Sequence, residues 1–273
     1  MEHSPLQIPS VGSVFFESSA SRTVVHRFGF FVGFVGAIEL GLVEISRVHG
    51  FDVSPAAARR LQDELAPRIV RGPGLDLDGV RFVAGVDVST EGDMAYATVV
   101  VLEFPGLSVV EVRGFEAPLS FPYVPGLLSF RELPTVLGAL ESVESPVNVI
   151  VADAHGVAHP RRLGLASHLG LFVDVPCVGC AKSRLVGEYE EPEAEKGSAS
   201  DLVHRGEVVG RVLRTRKNVS PVYVSVGNRI DLSSAVELVL ACAPKYRLPE
   251  TTRRAHEAAN KLRRGEKFGI VAF

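Results

Sequence analysis

Cysteine is scarce in this 273-residue chain: three residues are too few for a disulfide framework. Nothing in it therefore argues for secretion, and a cytoplasmic location is expected. Excess charge of either sign is small as well, with 29 Lys and Arg against 32 Asp and Glu. A net charge of -3 and a pI near 6.3 do not mark the chain as a whole as a nucleic-acid binder. The apolar run Phe28 to Ile38 is eleven residues long before Glu39 interrupts it, shorter than the roughly 20 residues of a membrane span, so no membrane partner is expected. Tandem repeats and low-complexity tracts are absent. What is present, 46% hydrophobic and 22% charged residues, suits one globular domain with additions and rules out disorder over the whole length.

The first 48 residues form an extension of unknown role. Its apolar run has the length of a signal-peptide core, but the stretch before it is long and carries two acids, and no small-x-small cleavage site follows closely. Upstream sequence brought in by a misplaced start codon is a third reading. A more ordinary domain opening begins at Phe51, where Ser54 can cap a helix with Pro55 in its first position and Ala56, Leu61, Leu65 and Ile69 on helical spacing. We take residues 49–273 as the domain. Strands are expected at about 80–89, 95–104 and 107–116, joined through Glu91-Gly92-Asp93 and Pro105-Gly106 as an antiparallel meander. A helix near 128–143, a strand ending at Asp153, a helix near 160–170 and a strand near 174–181 follow. A strand pair around 207–226 and helices near 233–242 and 250–263 complete the chain. Residues 188–200 (EYEEPEAEKGSAS) read as an exposed mobile loop.

Two acids break this pattern. Asp87 ends the apolar run 81–89 (RFVAGVDVS), and Asp153 ends 147–156 (VNVIVADAHG), which closes on a glycine turn. Apolar runs of this kind are strands buried on both faces, where a carboxylate is costly unless a partner or metal compensates it. Two such aspartates point to one shared cation site. Cys177 and Cys180 form a lone C-x-x-C with no second pair, which reads as two reduced, buried thiols. From Lys245 to Lys267 eight basic residues face three acids, a surface either for a polyanion or for solvent.

Four motifs in order carry a resemblance: Asp87 in its strand, residues 121–132 (FPYVPGLLSFRE), residues 153–170 (DAHGVAHPRRLGLASHLG) and residues 178–183 (VGCAKS). Over residues 51 to 265 the chain resembles endonuclease V, a nuclease acting on deoxyinosine, the product of adenine deamination. The resemblance implies a ribonuclease H-like α/β fold, an antiparallel meander followed by parallel strands in a mixed sheet flanked by helices. It implies Mg2+, with Mn2+ able to substitute, held by Asp87, Glu132 and Asp153, with Lys182 and His256 completing the catalytic set. Mg2+ prefers hard oxygen ligands and lowers the pKa of a bound water, which suits in-line hydrolysis of a phosphodiester.

The wedge that opens the base stack is expected at Tyr123, stiffened by Pro122 and Pro125. A pocket for the extruded base is expected from Gly126, Gly156 and Gly164, with His159 alongside. His159, Arg161 and Arg162 either contact phosphate or cap the next helix. Taken singly, Glu132 and His256 would read as surface residues, Lys182 as half of a surface ion pair and Tyr123 as a ring packed on the sheet. The order of the motifs favours the site. The expected partner is damaged DNA carrying deoxyinosine, cut at the second phosphodiester 3′ to the lesion by a monomer. Inosine-containing RNA is the alternative substrate, and a non-catalytic nucleic-acid-binding module the alternative class. A zinc hydrolase built on His155, His159 and Asp153 is disfavoured, because the histidine pair falls in a loop containing Gly156 and Pro160.

Overall fold

A computed structural model describes residues 42–266. Most of the N-terminal extension, including the run Phe28 to Ile38, lies outside the described residues. The first helix is α1 (Pro55–Leu65), where Ser54 accepts a hydrogen bond from the Ala57 N–H at 3.3 Å and Pro55 takes the first position. Three antiparallel strands follow, β1 (Phe82–Glu91), β2 (Met94–Glu103) and β3 (Val109–Pro118). Next come α2 (Leu128–Leu140), β4 (Val149–Ala152), α3 (Leu165–Phe172) and β5 (Cys177–Ala181). The remainder is β6 (Ala199–His204), β7 (Glu207–Leu213), β8 (Val222–Asn228), α4 (Leu232–Ala241) and α5 (Glu250–Arg263).

All eight strands form one sheet in the order β3-β2-β1-β4-β5-β8-β7-β6. The pairs β1–β4 and β4–β5 are parallel, and every other neighbour is antiparallel. This is the mixed sheet of a ribonuclease H-like fold, as expected. Val83, Val100, Val149, Val151 and Val178 pack on one face with Ala255 and Ala258 of α5 and with Leu238 and Val239 of α4. On the other face Ala84, Val86, Val99 and Ile150 pack with Leu133 and Val136 of α2 and Leu169 of α3. Central strands buried on both faces explain the continuous apolar runs of the sequence.

Three local expectations differ from the structure. The helix expected from 160 begins at Leu165, because Pro160 to Arg162 form a turn in which Arg162 takes φ 57°. Strand β6 lies where no strand was expected. Only Leu202 of its six residues is buried, so an edge strand of this kind leaves no apolar alternation to read. The 188–200 segment is not free. Glu188 bridges Val203, and Arg214 donates to the carbonyls of Glu193 (2.6 Å) and Pro192 (2.8 Å) and to the Glu191 carboxylate (2.6 Å).

Residues 43–51 lie along α3. The Ser46 N–H donates to the Phe172 carbonyl at 2.7 Å, and Ile45, Val48 and Phe51 join the core beneath. His49 donates from Nδ1 to the Gly50 carbonyl (2.7 Å), so its Nε2 accepts from His168 Nε2 (2.7 Å), whose Nδ1 accepts from the Ser129 hydroxyl (2.9 Å). Burial holds His168 neutral, with its pKa pushed down to about 3.

The backbone of β1 touches that of α5 at Gly85, where a Cβ would overlap the carbonyl of Thr251. Gly85→Ala is therefore expected to cost about 1–3 kcal/mol of stability, the usual range for overpacking, and to separate α5 from β1. Urea unfolding measures it, and an unchanged midpoint would mean that the helix moves aside freely.

Candidate active site

The parallel register sets two acids side by side. Val86 pairs with Ala152, so Asp87 within β1 and Asp153 just past the end of β4 each follow a paired residue, side by side where β4 stops and β1 runs on. Ligand sites in open α/β sheets lie at such ends. Lys182 leaves the end of the next strand, β5, and its ammonium forms an ion pair with Asp153 Oδ2. That oxygen is buried and receives no hydrogen bond, so the lysine meets it as a charge rather than as an aligned donor. His256 comes from the second turn of α5 and donates from Nδ1 to Asp87 Oδ2 at 2.7 Å. Its Nε2 accepts from Asn260 Nδ2 at 3.1 Å, one turn further along the helix. One ligand atom from each of Asp87, Asp153 and His256 lies within 4.8 Å of the others, two hard carboxylate oxygens and one imidazole nitrogen gathered as a divalent cation would need.

Glu132 enters from the opposite face of the sheet. It shares a small cavity with Asp87, Asp153 and Val136, but stands outside the three-atom cluster. Burial, then the nearby charges of Asp87 and Asp153, raise its pKa to about 8. Asp87 is raised to about 6 by burial and by Asp153, against the opposing pull of His256 and Lys182. Carboxylates crowded at low dielectric resist joint ionisation, and a divalent cation removes that resistance.

The acids open into a cleft of about 500 Å3. Tyr123, Val124, Pro125 and Gly126 line it, together with His159, Gly164 and Lys182. Tyr123 is 73% exposed, yet its loop is anchored at both ends. Phe121 is buried against Phe130 and its carbonyl accepts from Arg131 at 2.6 Å. Gly126 takes φ +79°, a conformation that favours glycine, and its carbonyl receives Gln62 Nε2 (3.0 Å), Arg161 Nη2 (3.1 Å) and His159 Nε2 (3.1 Å).

His159 is buried and neutral, its pKa pushed down to about 4 by burial and by Arg161. It fixes the loop from below. Arg161 bonds Gln62 and Gly126, while Arg162 bonds Glu207 and the carbonyls of His159 and His204. Neither caps α3, whose N-cap Gly164 has no side-chain bond. Gly156, whose N–H donates to Ser225 Oγ (2.8 Å), and the exposed Pro122 are not among the residues that line the cleft.

Gln62 was not singled out from the sequence. It is 1% exposed and also bonds the Leu163 carbonyl at 3.0 Å. The one available signal is a polar residue on the apolar face of α1, between Ala58 and Leu65. Cys177 and Cys180 are free, buried thiols, as expected. Much of the basic charge of α5 is internally paired: Arg253 and Arg254 both meet Glu250, and Lys261 meets Glu257. No helix among the described residues is long and apolar enough to cross a membrane.

Residues 63–257 match the family model of Endonuclease V. The Endonuclease V of Gloeobacter violaceus is 50% identical over 225 residues, which is 81% of this chain and 91% of that protein. The crystal structure of Endonuclease V from Streptomyces avermitilis, 46% identical, covers 79% of this chain and 96% of its own with a TM-score of 0.76. Endonuclease V of Ciona intestinalis, solved with a 24mer DNA containing an inosine followed by a ribo-adenosine, is 28% identical. It covers 77% of this chain and 98% of its own with a TM-score of 0.67.

An acid with a raised folded-state pKa binds its proton more tightly folded than unfolded. Its contribution to stability is complete below the ordinary value and is lost as pH rises through the folded one. For Glu132 that window runs from 4.5 to about 8, and for Asp87 from 3.8 to about 6. Cation binding displaces these protons, so Mg2+ should raise the thermal midpoint more at pH 8 than at pH 6. Equal shifts at both would contradict the site. Glu132→Gln should stabilise the metal-free protein at pH 8 by about 1–3 kcal/mol, read by urea unfolding in EDTA.

Proposed function

The chain belongs to the endonuclease V family, and on that premise we propose that it is a Mg2+-dependent repair endonuclease acting on deoxyinosine in DNA. In this reading it hydrolyses the second phosphodiester 3′ to the lesion and leaves 3′-hydroxyl and 5′-phosphate ends. The observation that supports it best is the convergence of donor atoms from Asp87, Asp153 and His256 within 4.8 Å beside a cleft rimmed by a rigid, tyrosine-bearing loop.

Asp87, Asp153 and Glu132 fit Mg2+: they are oxygen donors, two carry raised pKa values, and the buried Oδ2 of Asp153 has a cation, the Lys182 ammonium, against it already. When bound there, Mg2+ would neutralise charge on the phosphate and acidify a water. Lys182 then faces the scissile phosphate and offsets the charge that grows as the bond breaks. His256 bonds Asp87 through Nδ1 and Asn260 through Nε2, and in this reading it exchanges one of these bonds for the attacking water. Tyr123 fills the gap left by the extruded base, and the walls at Gly126, His159 and Gly164 receive that base. Hypoxanthine pairs weakly, so its extrusion costs less than that of a normal base.

End-labelled duplex with one deoxyinosine, incubated with Mg2+ or EDTA beside an unmodified duplex, tests the reading. A Mg2+-dependent nick one nucleotide beyond the lesion is expected, with a loss of about 10³-fold or more in Asp87→Ala and Asp153→Ala. Wild-type cutting by either variant would remove the site assignment. The ribo-adenosine in the Ciona intestinalis complex makes inosine RNA the second substrate to try, and cutting confined to RNA would keep the chemistry and change the target. Tyr123→Ala should weaken lesion binding by about 10-fold, the scale of one lost stacking contact, and leave the Mg2+-induced thermal shift intact. Equal losses in both would count against the wedge.

A further inference from the structure

We propose that Arg247 is a positioning residue that acts through Lys182, fixing the backbone from which that side chain reaches Asp153. The proposal rests on the reading of Lys182 as the cation facing the scissile phosphate.

Arg247 lies in the turn between α4 and α5. Its guanidinium donates three hydrogen bonds, all to main-chain carbonyls: Nη2 to Lys182 at 2.6 Å and to Pro221 at 2.8 Å, and Nε to Ser220 at 2.8 Å. Its own carbonyl accepts from Thr215 Oγ1 at 2.6 Å. One residue thus ties together the exits of β5 and β7, the entry of β8 and the turn before α5.

The chain around Lys182 needs such a restraint. Strand β5 ends at Ala181, and residues 182–187 have no regular structure until Glu188 bridges Val203. A lysine side chain has four rotatable bonds, so the reach of its ammonium is set first by the peptide plane at its own Cα. A planar guanidinium gripping the Lys182 carbonyl and two carbonyls of the facing segment fixes that plane, which a single-point ammonium cannot do. Misplacement by about 1 Å at a group that meets a reacting phosphate is enough to lower the rate.

Arg214 provides the internal comparison. It also grips carbonyls, those of Glu193, Pro192 and Val219, and it pairs with Glu191, but it makes no bond to Lys182. Both arginines line the groove that adjoins Lys182. A role limited to holding loops together would make the two equivalent. A role through Lys182 belongs to Arg247 alone.

The test is a double-mutant cycle in single-turnover cleavage of a deoxyinosine duplex with Mg2+. Lys182→Ala should lower the rate about 10²-fold and Arg247→Ala about 10-fold, and the double variant should match Lys182→Ala within about 2-fold. Arg214→Ala combined with Lys182→Ala should instead give the product of the two single effects. Arg247→Ala should keep the substrate affinity and the Mg2+-induced thermal shift of the wild type, and Arg247→Lys, with a single-point ammonium, should stay as slow as Arg247→Ala. A double variant slowed by the product, about 10³-fold, overturns the proposal, as does a wild-type rate in Arg247→Ala. Should Arg247→Ala fail to fold, Arg247→Gln carries the same cycle. Lys182→Ala at the wild-type rate would remove the role of Lys182 and this inference with it, and no cleavage by the wild type would overturn the proposed function itself.

Discussion

The close approach of α5 to β1 is the constraint on which the site depends. Gly85 lets the Thr251 carbonyl lie directly on the strand, and from that point the two elements run in the same direction. A strand advances about 3.3 Å per residue and a helix about 1.5 Å. Two residues along β1, about 6.6 Å, lead to Asp87, and five along α5, about 7.5 Å, lead to His256. Four along β1, about 13 Å, lead to Ser89, and nine along α5, about 13.5 Å, lead to Asn260, where the two side chains meet at 3.3 Å. On β2, Thr98 stands opposite Asp87 and donates to the Ala255 carbonyl at 2.8 Å. Because the spacings are commensurate, one glycine contact fixes the histidine, its carboxylate partner and the asparagine behind it. A helix held one side chain further away would lose all three.

The geometry that assembles the acids also works against the fold. Asp87 and Asp153 sit side by side because β1 and β4 are parallel and in register, and Glu132 is driven toward them by the burial of Leu133 and Val136 in the α2 face of the core. Each carboxyl group therefore pays desolvation in the presence of like charge, as the raised pKa values of Asp87 and Glu132 express. Lys182 and His256 offset part of this from two other elements. Strand pairing and core burial are strong enough to hold a site that the carboxylates alone would open, which is the pattern of a fold that carries local strain for binding.

The parts legible in the sequence are those where one residue contradicts its surroundings. Asp87 and Asp153 were readable because an acid inside a doubly buried strand has few structural explanations. Glu132 and His256 were not readable by that rule, since an acid on a helix and a histidine among arginines are ordinary surface residues. They entered only through the order of motifs that resembles a family. The residues that stiffen the site were invisible for another reason. Gln62 bonds carbonyls 64 and 101 positions away, and Arg214 bonds carbonyls of a segment that reads as mobile. Their partners are main-chain atoms, which any sequence supplies, so no pattern of side chains signals the pairing. Strand β6 escaped notice for the same kind of reason: its place is set by pairing with β7 and by the Glu188 bridge, while five of its six side chains stay out of the core.

The tyrosine loop is braced at both ends by the protein itself. An aromatic ring 73% exposed to solvent contributes little burial to the fold. A mobile loop would have to be ordered upon binding, at a cost of about 0.5–1.5 kcal/mol for each side chain immobilised. Here the backbone at both ends of the loop is already held, while the Tyr123 side chain stays exposed. Phe121 is sunk between Phe130 and Leu127, Arg131 holds its carbonyl, and three donors from α1 and the 159–161 turn converge on the carbonyl of Gly126. The backbone that carries the ring is thus fixed by contacts within the protein. The same turn that braces the loop also lines the cleft through His159, so the loop and the wall of the cleft share one support.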